Sequence, residues 1–402
     1  MRSLVKRLLF GIFSICLLTL SAACSGSGDD VADDIPDTPA PPVPSPVAKK
    51  THGIVFYMMG SGTGLESDMD ENVRKVMETA PSVVSDSCKI AIFYDRGNYT
   101  RLTEVKKVGG RTKQVVLKEW NPSSTSSVDK QFMSGVLKLI RDSLGTDTYG
   151  LVMSSHGGGW VPSDIFDEYL TDNNTTRFFG EDGNDYMEVP QLAEALTAAG
   201  AWDYLLFDAC FMSSVEALYD LRHVADYIIA SPSEVMGAGF PYQKILPLLF
   251  TADHNLTGVC QAYMDSYKYN AKTASATIAL VKTAGLDMLA SVMKTVMSAS
   301  TVKADVSKLQ GYEGFLPHLY FDLKQYVHAI APYDVASFDK ALDDVVVYSD
   351  HTPTIYTGYG PLAGSISMTE SCGITCYVET NDYPNTHSAY LNTAWAKAVG
   401  AK

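Results

Sequence analysis

The sequence feature that most constrains the fold is a set of short apolar runs that carry no polar alternation. Strands of this kind are buried on both faces, as in a parallel sheet covered by helices on its two sides. Residues with helical apolar spacing lie between the runs, so the order predicts an α/β three-layer sandwich with a mostly parallel central sheet. The predicted strands are residues 54–58, 89–94, 149–153, 204–207 and 226–230, and the predicted helices are residues 66–79, 128–144, 190–199 and 213–222.

Residues 100–120 differ from these runs, because polar and apolar residues alternate around Gly109-Gly110 and predict a β-hairpin. Beyond about residue 250 the pattern is mostly helical. We therefore expect one folded domain over residues 51–402, with a core of about residues 51–250 and a more helical part of about residues 251–402.

The composition is that of a water-soluble globular body, with 46% hydrophobic and 19% charged residues. Lysine and arginine number 31 against 46 acidic residues, which gives a formal net charge of −15 at pH 7. An acidic surface repels phosphate backbones, so the charge argues against nucleic acid as a partner. Basic ligands or basic peptide segments fit this charge better.

The first 23 residues predict a bacterial export signal, with a basic start and a mostly apolar stretch at residues 8–20. Such a stretch is too short for a spanning helix and fits a signal peptide. Small residues directly before Cys24 resemble a lipobox, in which Cys24 is lipidated; ordinary secretory cleavage before an incidental cysteine is the alternative. Five aspartates soon after Cys24 resemble the surface-export signals of Bacteroidetes lipoproteins. Residues 24–50 are rich in proline and aspartate and predict an extended tether. The expected location is the cell envelope, lipid-anchored at the outer membrane and exposed on the surface.

Four cysteines remain once Cys16, Cys24 and the candidate nucleophile described below are set aside: Cys88, Cys260, Cys372 and Cys376. Two disulfides and buried free thiols are both compatible with export. The spacing of the last two lacks the second ligand pair of a zinc site, so no metal site is predicted.

Two predicted strands run directly into residues that can carry chemistry. Residues 149–153 are followed by Ser154-Ser155-His156-Gly157-Gly158-Gly159-Trp160, and residues 204–207 by Asp208-Ala209-Cys210. Ligands bind beyond the carboxyl ends of parallel strands, so both junctions are expected at one site. A cysteine at a helix start can be held as a thiolate, a nearby histidine can protonate a leaving amine, and the glycines after His156 would let backbone N–H groups approach an oxyanion.

An apolar strand ending in His-Gly, followed by one ending in Asp-Ala-Cys, resembles the caspase-like cysteine peptidases, and the clostripain family most closely. The resemblance covers nearly all of residues 51–402, including the opening strand at 55–59 and the segments 230–234 and 239–242. It implies a caspase-like αβα sandwich and peptide hydrolysis through a thioester on Cys210. His156 would be the general acid and base, and the backbone amides of Gly157 and Cys210 the oxyanion hole. It also implies protein or peptide substrates that are cleaved after arginine or lysine.

A basic P1 side chain needs a carboxylate in its pocket, since a guanidinium is costly to bury unpaired. Asp208 matches the acidic position linked to that pocket in the family; its alternative role is to cap the following turn or helix. Some relatives carry a further acid where this chain has Pro241, and Glu234 is the candidate substitute.

Arg177 is the single basic residue between His156 and Cys210, and it lies in a polar stretch. Exposed polar loops are readily nicked, and members of the resembled family are activated by cleavage in this interval. We therefore predict that Arg177–Phe178 is a self-processing bond. The alternative is an ion pair between Arg177 and an acidic neighbour such as Asp172 or Glu181.

Calcium is linked to clostripain itself, and Asp182-Gly183-Asn184-Asp185 offers oxygen ligands. The stretch lacks the later ligands and terminal glutamate of an EF-hand loop, so a solvated turn is favoured and no cofactor is expected to be required.

The alternative to a peptidase is a non-catalytic surface lipoprotein that binds glycan or protein on a caspase-like fold. The intact His-Gly and Asp-Ala-Cys pairs favour the peptidase.

Overall fold

The computed structural model describes residues 50–163, 179–269, 274–333, 335–358, 360–380, 382 and 384–402. The predicted signal, the tether with Cys24, and the predicted processing bond at Arg177 and Phe178 lie outside the described residues.

The described strands are β1 (His52–Met59), β2 (Cys88–Asp95), β3 (Thr100–Val108), β4 (Arg111–Trp120), β5 (Thr148–Ser154), β6 (Glu181–Asp182), β7 (Asp185–Tyr186), β8 (Trp202–Asp208), β9 (Ala225–Ala230), β10 (Thr277–Lys282), β11 (Phe321–Asp322), β12 (Val346–His351), β13 (Thr354–Thr357), β14 (Gly364–Ser367) and β15 (Thr375–Cys376). The described α-helices are α1 (Glu66–Val83), α2 (Lys130–Leu144), α3 (Val189–Ala199), α4 (Val215–Asp220), α5 (Tyr242–Leu249), α6 (Leu256–Lys268), α7 (Leu286–Ala299), α8 (Leu323–Ile330), α9 (Ala336–Val345), α10 (Pro384–Asn392) and α11 (Ala394–Val399).

Nine strands form one sheet in the order β12-β10-β9-β8-β5-β1-β2-β3-β4. The five strands from β9 to β2 in this order pair in parallel. Antiparallel strands extend the sheet on both sides, and β3 with β4 forms the predicted hairpin. The predicted α/β fold with a mostly parallel central sheet is confirmed.

The three layers follow from the side chains of β1, all eight of whose residues are buried. Alternate residues enter different cores: Val55 and Tyr57 pack on one side with residues of α2 and α3, and Phe56 and Met58 on the other with residues of α1, α5 and α6. Each fully buried side chain of this size stabilises the fold by about 1.5–3 kcal/mol. Continuous apolar strands are therefore required, because neither face of the sheet meets water.

The chain after residue 250 contains helices, as expected, together with strands that the sequence did not predict. Strand β10 pairs with β9 and with β12, so both continue the central sheet past residue 250. A six-residue apolar run such as β10 cannot be separated from a buried helical segment by periodicity alone. The helix predicted at residues 213–222 is also shorter, six residues in α4.

The sequence left open whether the cysteines form two disulfides or remain free thiols. The described cysteines are all free thiols. Within the same residues, no helix combines the length and the apolar character needed to cross a membrane.

Candidate active site

The register of two adjacent strands brings the predicted nucleophile and histidine together. In the parallel pair β5–β8, Ser154 lies opposite Asp208. His156 lies as many positions after Ser154 as Cys210 lies after Asp208. Both side chains therefore leave the sheet at the same edge, and both line a cleft of about 140 Å³.

His156 is oriented by the loop that follows the neighbouring strand β1. Its Nε2 lies 2.9 Å from the carbonyl oxygen of Thr63. Because a carbonyl oxygen only accepts, Nε2 carries the hydrogen and Nδ1 is left to accept a proton. Burial lowers the pKa of the imidazole, an effect that the Thr63 hydrogen bond and the nearby Glu66 only partly offset. The ring is thus neutral at neutral pH.

Cys210 is held by the segment that follows β9. Its Sγ accepts a hydrogen bond from the Val235 N–H at 3.2 Å. Burial, followed by the negative charge of Glu234, raises the pKa of the thiol to about 12. Cys210 does not lie at a helix start as the sequence analysis expected, because α4 begins only at Val215. The thiol must give its proton to a base to become a nucleophile.

Gly157 packs directly on the backbone of the nucleophile. A Cβ at this position would lie 2.4 Å from the carbonyl oxygen of Cys210 and 3.3 Å from its nitrogen. Real Cβ atoms do not approach a backbone oxygen this closely, so only glycine permits the contact. The position after His156 therefore requires glycine for steric reasons. This glycine brings two backbone segments of the predicted oxyanion hole side by side.

The turn after Cys210 has an unusual backbone. Phe211 has a φ of 60°, which is uncommon for a residue with a side chain. Its ring stacks on Tyr320 with centroids 4.8 Å apart, and the Tyr320 hydroxyl donates to the carbonyl of Gly158. Tyr320 thus ties the nucleophile turn to the histidine loop, and such strain is typical of functional turns that the surrounding packing maintains.

Both predicted specificity acids line the cleft with Cys210. The Tyr242 hydroxyl donates to Oδ2 of Asp208 at 2.7 Å, and burial raises the pKa of this carboxyl to about 6. The Gly358 N–H donates to both carboxylate oxygens of Glu234 at 3.0 Å, and burial raises its pKa to about 7. Asp208 is therefore held from the segment after β9, and in the part of the chain that the structure describes α4 receives no side-chain capping hydrogen bond.

Two residues of the site were missed by the sequence analysis, Thr63 and Asp68. Thr63 orients His156, whereas Asp68 is a half-buried carboxylate in the first turn of α1 that lines the cleft. Among the described residues, no hydrogen bond or ion pair engages the Asp68 carboxylate. A signal was available: the Gly60-Ser61-Gly62 turn ends a predicted strand, and that edge of a parallel sheet is where ligands bind.

The acidic turn considered for calcium is engaged otherwise. Strands β6 and β7 flank it, and Oδ2 of Asp182 accepts from the N–H of Ser127 at 2.7 Å. Among the described residues, the carboxylates of this turn do not gather into a group of three metal-binding side chains.

Residues 56–396 match the clostripain family. The chain belongs to that family. Clostripain from Hathewaya histolytica is 24% identical over 201 residues, which are 46% of this chain and 36% of the relative. The chain thus spans only about a third of the length of this curated relative.

Two solved structures cover nearly the whole fold. A secreted C11 cysteine protease from Bacteroides thetaiotaomicron, in complex with an irreversible peptide inhibitor, is 26% identical with a TM-score of 0.76 and covers 87% of this chain and 98% of its own. An inactive zymogen C11 protease from Parabacteroides distasonis is 27% identical with a TM-score of 0.77 and covers 88% and 99%. The predicted clostripain family, the caspase-like fold and the class of cysteine peptidase are confirmed.

Proposed function

We propose that this protein is a cysteine endopeptidase that hydrolyses peptide bonds after arginine or lysine. The observation that carries the proposal is the β5–β8 register, which delivers His156 and Cys210 from equivalent strand ends into one acidic cleft. The protein or peptide substrates and the basic P1 residue follow from the carboxylates in that cleft.

The chemistry begins with a neutral pair, because the thiol pKa is raised and the imidazole pKa is lowered. Nδ1 of His156 takes the thiol proton as Sγ bonds to the scissile carbonyl carbon, and the amides of Gly157 and Cys210 stabilise the oxyanion. The C–N bond then breaks as His156 protonates the amine, which leaves a thioester. Water attacks the thioester, gives a proton to His156, and releases the acid and the thiol.

Three carboxylates in the cleft support selection of a basic P1 side chain. Asp208 and Glu234 are positioned by hydrogen bonds from the protein, whereas Asp68 is not engaged by a protein partner in the described residues. A guanidinium or ammonium would be paired in such a pocket, and an acidic or apolar P1 side chain would leave the carboxylates uncompensated. Asp68 thus adds a specificity residue to the two that the sequence indicated.

The test is turnover of fluorogenic peptides that end in Arg, Lys, Asp, Asn or Leu, by the protein and by Cys210→Ala. We expect turnover after Arg or Lys that is lost in the variant, and labelling of Cys210 by a peptidyl electrophile with a basic P1. Turnover after another residue would support the peptidase activity but reject the proposed pocket for a basic P1 side chain. No turnover and no labelling, with and without added calcium, would favour the binding lipoprotein.

We propose further that Arg177–Phe178 is a self-processing bond. The described chain resumes at Phe179, which is buried and bridges to Gly157, and the Gly180 N–H donates to the His156 carbonyl at 3.1 Å. The segment after the bond is therefore anchored on the histidine loop, and one similar structure is a zymogen. Mass spectrometry of the protein, Arg177→Ala and Cys210→Ala tests the bond: both variants should remain intact, and a cut at the same place in Arg177→Ala would reject it.

We also propose that Cys24 anchors the protein to the cell envelope through lipid, at the outer membrane and on the surface. The support is the sequence pattern of residues 1–24 alone. Metabolic labelling with an alkynyl fatty acid should mark the wild-type protein and fail to mark Cys24→Ala. Equal labelling of both would reject lipidation.

A further inference from the structure

A second histidine cluster lies at the edge of the sheet opposite the cleft. His52 begins β1, Asp203 is near the start of β8, and His254 lies in the loop between α5 and α6. The starts of parallel strands share one edge, so this cluster and Cys210 are at opposite ends of the same strands. Within the described residues, these three side chains are the group whose ligand atoms lie within 4.8 Å of one another.

We propose that His52, Asp203 and His254 bind a Zn²⁺ ion, a site separate from the catalytic cleft. Nε2 of His254 lies 3.1 Å from Oδ2 of Asp203, and Nδ1 of His52 lies 3.6 Å from the same oxygen. Zinc bonds to nitrogen and oxygen at about 2.0–2.2 Å, so neighbouring ligand atoms in a tetrahedral site lie roughly 3.3 Å apart. Two imidazoles and one carboxylate are a ligand set that zinc favours.

Contacts outside the cluster prepare the ligands. Nδ1 of His254 lies 3.0 Å from the carbonyl oxygen of Leu249, so Nδ1 carries a hydrogen. Without metal, Nε2 of His254 donates to Asp203; on metal binding it would release that proton and turn its lone pair to the ion. Nε2 of His52 lies 3.3 Å from the Tyr204 hydroxyl, which can accept its hydrogen. On metal binding, Nδ1 of His52 exchanges its 2.8 Å contact with the Thr148 hydroxyl for the ion. Hydrogen bonds of this kind fix the tautomer and ring orientation of zinc-binding histidines.

The backbone conformation at His254 supports the proposed zinc site independently of the side-chain contacts. Its φ of 44° lies in the left-handed region, where side-chain-bearing residues are uncommon. The loop maintains this conformation and thereby places the ring 4.1 Å from that of His52, centroid to centroid. The side chains of Asp203 and His254 are 31% and 20% exposed, so an ion and a water as fourth ligand can enter. The ion would join the α5–α6 loop to the ends of β1 and β8.

The experiment uses the full chain with Cys210→Ala, which removes the catalytic Cys-His pair as a competing metal site. After chelator treatment, Zn²⁺ binding is measured by calorimetry, and Co²⁺ binding by its visible spectrum. We expect one equivalent of either ion and no thiolate-to-cobalt band. Adding His254→Ala should weaken Zn²⁺ binding at least about 100-fold. Zinc should raise the unfolding midpoint by roughly 3 °C or more only where His254 is present.

The matched control is His328→Ala, because His328 also contacts a carboxylate, with Nε2 2.8 Å from Oδ1 of Asp339, on an exposed surface. This control should leave Zn²⁺ affinity unchanged. Asp203→Asn keeps the side-chain size and should lose affinity as His254→Ala does, so a folding defect in one variant does not decide the result. Absence of Zn²⁺ binding, or equal affinity with and without His254, would overturn the site in favour of a simple His254–Asp203 ion pair.

Discussion

The two ends of the parallel strands use the same residue types in different ways. At the carboxyl edge, His156 is bound by a backbone carbonyl and Cys210 by a backbone amide, and an open cleft lies between the loops. At the amino edge, His254 contacts Asp203 directly, and its ring is tilted against that of His52. The first arrangement leaves reactive atoms available to a substrate, whereas the second turns the polar atoms toward one another.

The charge states of the histidines show what this difference does. Burial lowers the pKa of His156, since it disfavours the charged form, and in the described residues no carboxylate hydrogen-bonds to the ring to reverse this. For His254 burial also lowers the pKa, but the hydrogen bonds to Asp203 and to the Leu249 carbonyl, with the negative charges of Asp203 and Asp253, together outweigh it and the net shift is upward. A neutral imidazole can accept a thiol proton, so hydrogen-bonding to a carbonyl suits a histidine that is the catalytic base for a thiol. Hydrogen-bonding to a carboxylate instead suits a site that holds positive charge.

The largest expected effect is on activity, and it comes from replacing the cysteine at the carboxyl edge rather than the one at the amino edge. Cys210→Ala should reduce kcat/KM by about 10⁴-fold or more, because no other group can form the thioester. Cys88→Ala removes a partly exposed thiol at the start of β2, on the amino edge, and should leave kcat/KM nearly unchanged. Steady-state kinetics with an arginyl peptide measure both; a comparable loss in Cys88→Ala would contradict the assignment.

A second test compares glycines. Gly157→Ala would place a Cβ 2.4 Å from the Cys210 carbonyl and should lower kcat by about 10²–10³-fold, as loss of an oxyanion donor does. Gly53→Ala at the amino edge meets chiefly the movable hydroxyl of Thr146, at 2.7 Å. Its kcat should remain close to wild type even if its unfolding midpoint falls. Equal kcat values for the two variants would remove Gly157 from the site.

The pH dependence of KM tests the specificity pocket. With a pKa raised to about 6, Asp208 is charged above that pH and neutral below it. Attraction to a basic P1 side chain is therefore present at pH 7 and lost as the pH falls, and KM for an arginyl peptide should rise about 10-fold by pH 5. Asp208→Asn should raise KM at pH 7 and remove the part of the profile centred near pH 6, while Glu234, whose pKa burial raises to about 7, still titrates. An unchanged profile would exclude Asp208 from P1 binding.

The smallest expected effect concerns Asp68. Asp68→Asn removes a half-buried charge from the cleft and should weaken arginyl-peptide binding about 5-fold, read as KM at constant kcat. Glu71→Gln is the matched control on the same helix, because Glu71 faces outward and pairs with Arg74. Loss of binding in the control to the same extent would show a general charge effect rather than a pocket contact.

The sequence predicted the parts of the molecule whose signals are local. Continuous apolar runs indicated the parallel strands, and the two strand ends with His156 and Cys210 indicated the site. Thr63 and Asp68 were missed because their place depends on β1 lying beside β5, an order that no local pattern contains. The same holds for His254, whose approach to His52 depends on a loop conformation and a distance in sequence of about two hundred residues.

The direct pairing of β5 with β8 has a consequence for the integrity of the protein. Their register runs from Gly150 opposite Tyr204 to Ser154 opposite Asp208, so backbone hydrogen bonds, not the covalent connection, keep His156 beside Cys210. A break anywhere between residues 163 and 179 would leave this pairing in place. Such a protein would run as two bands after denaturation, elute as one particle in native buffer, and unfold in a single transition.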